Sequence, residues 1–178
     1  MFGVAILVVL VIIIISVIMI SNSLNRAIVK IDEASSGIDV ALTKRYDVLT
    51  KMIDVVKGYA KHEEEVLFKT IELRSNMSIE EKSAVNKVME EDFSRIYALA
   101  ENYPDLRSSE NYKTLQQSVA DVEEHLQAAR RLYNANVSAF NQKLVTFPIS
   151  IVASAKKLDK KDFFVAEENK RQDVKIDL

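Results

Sequence analysis

From Phe2 to Ile20 the chain is apolar at every position except Gly3 and Ser16. About 19 residues rising 1.5 Å each span roughly the 30 Å hydrocarbon core of a bilayer. Val and Ile dominate this run, but a lone strand in lipid would leave its N–H and C=O groups unpaired, so a helix is predicted there. The competing reading is a cleaved secretory signal, for which Ser21-Asn22-Ser23 offers small residues at a workable spacing. No Lys or Arg precedes the run, and the run exceeds the usual 7–15 residue apolar region, so a retained anchor over residues 1–23 is the stronger reading.

Beyond Ser23 the pattern changes to one apolar face in water. Ile28, Ile31, Ile38, Leu42, Tyr46, Leu49, Met52, Val56 and Ile71 recur at steps of mostly three, four or seven, with Lys44, Lys51, Asp54 and Lys57 between them. This predicts one long helix over about 24–75, continuous with the anchor or kinked near Gly37. Ser78-Ile79-Glu80-Glu81 then reads as a capping box opening a second helix, with Val85, Met89, Phe93 and Ile96 as its stripe. Pro104 ends it, and Asn102-Tyr103-Pro104-Asp105 is the predicted turn.

Ser108 or Ser109 caps a third helix with the most regular stripe in the chain: Leu115, Val119, Val122, Leu126, Ala129, Tyr133, Val137, Phe140, Leu144 and Phe147. Its near-heptad steps predict coiled-coil-like packing, and Phe147-Pro148 stops it. Residues 149–155 are apolar but too short to span a bilayer. Phe163-Phe164 is the last expected core anchor, and residues 166–178 read as a disordered charged tail. The fold class is therefore all-α: an N-terminal transmembrane helix followed by an antiparallel up-down bundle, with residues 24–165 as the bundle domain.

Composition sharpens this picture. Three Gly and two Pro leave too few turn-formers for an all-β fold, and the absence of Cys removes disulfides, thiolate metal sites and cysteine nucleophiles. The 24 basic and 26 acidic residues are interspersed and give a net charge of −2, so no field draws the chain to nucleic acid. All of those charged side chains follow residue 25. Arg26 and Lys30 flank the anchor on its C-terminal side, which by the positive-inside rule puts the N-terminus outside and the body in the cytoplasm.

Four blocks of sequence resemble the LemA family. They are Ile38 through Asp47, Val56 through Glu63, Glu101 through Leu106, and Ala129-Arg130-Arg131-Leu132-Tyr133-Asn134 running through Phe140-Asn141 to Phe147-Pro148. Two features depart from that family's pattern: Ala34-Ser35-Ser36-Gly37 stands where a tryptophan is usual, and Phe140 where a tyrosine is usual. The resemblance implies a bacterial single-pass membrane protein with a helical bundle and no assigned enzymatic activity.

The residues themselves also point away from chemistry. His62 and His125 are the only histidines, and no second His lies one helical turn from His62-Glu63, so no metal is expected. Neither a nucleophile elbow nor a phosphate-cradling glycine loop is present, so no cofactor is expected. Arg45, Arg130 and Arg131 are candidates to pair with Asp39, Asp47 or Asp121 across helices. The seven-residue spacing of Asn134 and Asn141 places both on one helix face, where an amide fixes register. Tyr46, Tyr103, Tyr133 and Phe147 complete the candidate helix-interface positions. Lys156, Lys157, Lys160 and Lys161 read as a solvated hinge, with contact to anionic lipid as the sharper alternative.

The function these features predict is a non-enzymatic scaffold at the cytoplasmic face of a cell membrane, self-associating as a homo-oligomer or gripping protein partners. Two alternatives stand beside it: a membrane-shaping protein that polymerises through long helical hairpins, and a binder of a small anionic ligand in an inter-helix pocket.

Overall fold

The computed structural model describes residues 1–59, 71–74 and 76–165. His62, the stretch of the first predicted helix from residue 60 to residue 70, and the charged tail from residue 166 lie outside the described residues. Among the described residues the chain is helical and contains no strand: α1 is Phe2–Tyr59, α2 Ile79–Asn102, α3 Pro104–Ser108, α4 Glu110–Val145 and α5 Ile149–Ala155. Ser35-Ser36-Gly37 does not interrupt α1, which is one continuous helix from the apolar run into the striped segment.

Two compact units are present. The first comprises Met1–Ser36 and Arg131–Phe163. Here Asn136 Nδ2 donates to the Lys30 carbonyl at 3.0 Å and Lys143 Nζ to Ser23 Oγ at 3.0 Å. The partners descend α1 as they ascend α4, so the two helices run in opposite directions. Leu24, Ile31 and Ala34 of α1, Tyr133, Val137 and Phe140 of α4 and Ala153 of α5 are the buried apolar side chains of this unit. Each such large side chain contributes about 1.5–3 kcal/mol relative to exposure. Residues 1–15 are different: every side chain there is exposed, and Ser16 Oγ donates back to the Ile12 carbonyl at 2.8 Å.

The described residues of the second unit lie within Gly37–Arg130 and include Phe164 and Val165. Its core gathers Leu49, Met52 and Val56 of α1, Met89, Phe93, Ile96 and Ala100 of α2, Leu106 of α3 and Tyr112 of α4. Partners on α1 and α2 rise together, Asp39 with Lys82 and Arg45 with Asn86 and Glu90. These two helices therefore run in the same direction, whereas an up-down bundle would set consecutive helices antiparallel.

The helix boundaries have local causes. Ser78 Oγ accepts from Glu81 N at 3.2 Å while the Glu81 carboxylate accepts from Ser78 N at 2.7 Å, which is the reciprocal capping box read from the sequence. Pro104 does more than end α2: it occupies the first turn of α3, a short helix where the sequence indicated a turn. Its missing N–H costs nothing at that position. Ser109 Oγ then accepts from Tyr112 N at 3.3 Å and caps α4.

Candidate functional site

The stripe that α1 buries in the second unit runs Ile38, Ala41, Leu42, Arg45, Leu49, Met52, Val56, so a guanidinium occupies a core position. The stripe of α2 is likewise polar at its start, Lys82 and Asn86 preceding Met89, Phe93, Ile96 and Ala100. Facing polar positions create a charged layer below the apolar core. Arg45 is 2% exposed. Its Nη1 donates to Asn86 Oδ1, its Nη2 to Glu90 Oε2 at 2.6 Å, and the same nitrogen lies 3.2 Å from Glu123 Oε2 of α4. The guanidinium carbon sits 5.3 Å from the centre of the Phe93 ring, a cation–π contact that covers its apolar face.

Beside it, Lys82 Nζ reaches Asp39 at 2.8 Å with its own side chain buried. Asp92, fully buried, lies 3.5 Å from Arg95 Nη1. Burial raises the Tyr97 hydroxyl pKa, Arg45 pulls it down, and Glu90 and Glu123 raise it further. The Tyr97 ring stacks on Phe93 with centroids 6.5 Å apart.

The charge arithmetic limits what this layer can do. Two unit charges 4 Å apart interact by about 4 kcal/mol at an effective dielectric near 20. An anion approaching Arg45 meets Glu90 and Glu123 already in place and gains little. The arrangement is an ion-paired polar layer joining α1, α2 and α4, with Arg45 Nε buried and outside its hydrogen bonds, and a misplaced register would strand the whole cation. Among the described residues no group of three His, Asp or Glu side chains is placed to hold a metal.

Two of the remaining expected positions, Tyr133 and Asn141, bond the segment after α5. Asn141 pairs twice with the backbone of Lys161, donating to its carbonyl and accepting from its N–H, both at 2.9 Å. Tyr133 donates from its hydroxyl to the Asp162 carbonyl at 3.0 Å. These side chains hold the segment after α5 onto α4 rather than setting register between two helices. Arg130 lies 4.7 Å over the ring of Phe164. Phe164 is buried and its neighbour Phe163 is exposed, so one ring of the pair anchors the C-terminal segment. Tyr46 and Tyr103 are half-buried against the second unit's core, and Asn134 is half-buried on α4.

Phe147 departs from its expected interface position, being 77% exposed. Val145, two residues earlier, is exposed too, whereas Leu144 of the α4 stripe is half-buried. The arginine partners also differ from those expected: Arg45 takes Glu90 and Glu123, and Asp39 takes Lys82. Arg131, Asp47, Asp121 and His125 are exposed. Lys82, Asn86 and Asp92 gave no signal as polar letters in isolation. Only their place on the four-three steps of the α2 stripe marks them as buried.

Comparison with known proteins finds related sequences. The LemA family model matches residues 34–178. Protein LemA of Metamycoplasma hominis is 34% identical over 158 residues, covering 86% of this chain and 72% of that protein. Magnetosome protein MamQ of Magnetospirillum gryphiswaldense is 26% identical over a shorter stretch of 70 residues, 39% of this chain and 26% of that protein. The blocks around Arg45, Tyr103 and Tyr133 thus lie within a match covering most of the sequence, and the chain belongs to the LemA family.

Proposed function

We propose that this protein is a non-enzymatic, membrane-anchored helical scaffold. Residues 1–23 cross a bacterial cell membrane once, with the N-terminus outside, and residues 24–165 form a cytoplasmic body that grips partner proteins or further copies of itself. The observation that carries this reading lies within α1. That single helix exposes every side chain from Phe2 through Ile15, then buries a stripe from Leu24 onward. An all-round apolar helix needs an apolar surround, and a bilayer supplies one.

The absence of an enzymatic role is supported by the Arg45 layer, whose charges are already matched to one another. Self-association is supported more narrowly, by Val29 and Leu132, apolar side chains exposed on the body. Sedimentation of the full-length chain in detergent micelles tests it. A mass of two or more copies per micelle is expected, and a strict monomer across the concentration range would remove self-association from the reading. Flotation with liposomes tests the anchor: the full chain should rise with lipid, and a chain remaining at the bottom of the gradient would refute attachment.

A further inference from the structure

The α4–α1 register in the first unit has a geometric consequence. Asn136 meets Lys30 and Lys143 meets Ser23, the same interval on both helices. Continuing that step to the end of α4 places Val145 level with Ser21, next to the apolar run, and the turn carrying Phe147 follows directly. On the far side of α5, Lys156 Nζ donates to Ser21 Oγ at 3.0 Å and to Asn25 Oδ1 at 2.7 Å. The whole turn from Thr146 to Ala155 is thus held between two lysines fixed at the water-facing end of the anchor.

The side chains at this level are of the wrong kind for water. Val145 is 66% exposed, Phe147 77% and Ile151 61%, a cluster in one short turn. Lys143 precedes Val145 by about half a turn of α4, and with Arg26 and Lys30 it lines an open groove of about 470 Å³ between α1 and α4 that also touches Met19. Each lysine ammonium has three donors, so Lys143 and Lys156 retain hydrogen-bonding capacity beyond their contacts to Ser23, Ser21 and Asn25.

We propose that the α4–α5 turn is a second membrane-contacting element, with Val145, Phe147 and Ile151 inserted at the boundary of headgroups and acyl chains of an anionic bilayer. Arg26, Lys143 and Lys156 sit among the lipid phosphates. The proposal rests on the reading of residues 1–23 as the anchor. Lipid fits this patch better than a second protein copy because the turn follows the end of α4 at the level where the apolar run of α1 ends, and because Lys143 and Lys156 on either side of it reach Ser23, Ser21 and Asn25 of α1. Apolar tips with snorkelling amines are how interfacial elements divide their contacts between acyl chains and headgroups. The turn would give the body a second contact with the bilayer, limiting its tilt and its rotation about α1.

The chain lacks cysteine, so single-cysteine variants of the full-length protein report cleanly. Ile151→Cys and Val145→Cys, with Ile12→Cys as the anchor reporter and His125→Cys as the water reporter, are labelled with an environment-sensitive fluorophore. They are reconstituted in vesicles of phosphatidylcholine and phosphatidylglycerol. Shallow nitroxide lipids should quench labels at 151 and 145 about threefold more than the label at 125, with aqueous iodide showing the reverse order. Replacing phosphatidylglycerol by phosphatidylcholine should weaken lipid quenching at 151. Labels at 151 and 145 as open to iodide as 125, with position 12 still quenched by lipid, would overturn the proposal and leave the anchor standing. Protection of 151 from both quenchers would mean that protein covers the patch, which also overturns it. An unquenched label at position 12 would overturn the anchor and this proposal together.

Discussion

Arg45 of α1 and Glu90 of α2 meet at 2.6 Å, the cation 3% exposed at its side chain and the carboxylate 32%. Glu123 of α4, 33% exposed, completes the triad at 3.2 Å. A buried guanidinium is costly to strand, so the three helices are held to the register in which all three side chains meet. Arg45→Met should destabilise the fold by about 2–3 kcal/mol, toward the low end for a broken buried pair because the two carboxylates can recover water. Glu90→Gln should cost less, since Glu123 remains. A double-mutant cycle between positions 45 and 90, followed by chemical denaturation, should show a coupling of about 1–3 kcal/mol; additive effects would contradict the triad.

Gly37 lies within α1, is exposed, and an added Cβ there would meet nothing within 4 Å. Gly37→Ala should therefore raise stability by about 1 kcal/mol through helix propensity and a smaller unfolded-state entropy. An unchanged or lowered thermal midpoint would show that this stretch is not helical in solution.

Asn141→Ala removes both hydrogen bonds to the Lys161 backbone. A loss of about 1–2 kcal/mol is expected. It should appear first as faster amide exchange at Lys161 and Asp162, with the α4 core amides still protected. Tyr133→Phe, which removes the bond to the Asp162 carbonyl, should act at the same place.

The capping box makes part of α2's stability depend on acid. The Ser78 N–H holds the Glu81 carboxyl below its ordinary value of 4.5. A carboxylate with a lowered folded pKa adds stability that is complete above the unfolded value and disappears as pH falls through the folded one. Glu81→Gln should flatten that acid dependence, as measured by helicity between neutral and acid pH. Three tyrosines act at the opposite end of the scale. Burial raises Tyr97, Tyr112 and Tyr133 above 10.0, with Asp162 and Asp32 adding to the shift at Tyr133. Their contribution is complete below the unfolded phenol pKa and is lost as pH rises through the folded one, so ultraviolet titration of the native protein should show phenols ionising late, accompanied by unfolding.

Periodicity exposed what is local in this fold. The apolar run, the Ser78–Glu81 box, the break at Pro104 and the α4 stripe from Leu115 to Phe140 all depend on residues within a turn or two of one another, and all stand where the sequence placed them. The direction of α2 relative to α1 depends on the chain between them and left no periodic trace. The partners of Arg45 were equally hidden, because among 26 acidic residues nothing local singles out Glu90 and Glu123.

The proposed anchor requires residues 1–23 of α1 to lie in lipid, and limited trypsinolysis of sealed membrane vesicles measures that directly. The first basic residue is Arg26, so no tryptic cut falls within the apolar run. In inverted vesicles, whose cytoplasmic face is outward, the body should be digested to peptides while a fragment ending near Arg26 stays with the membrane. In right-side-out vesicles the chain should remain intact. Release of the N-terminal fragment into the supernatant, or digestion of the body from the outer face, would contradict the anchor or its orientation respectively.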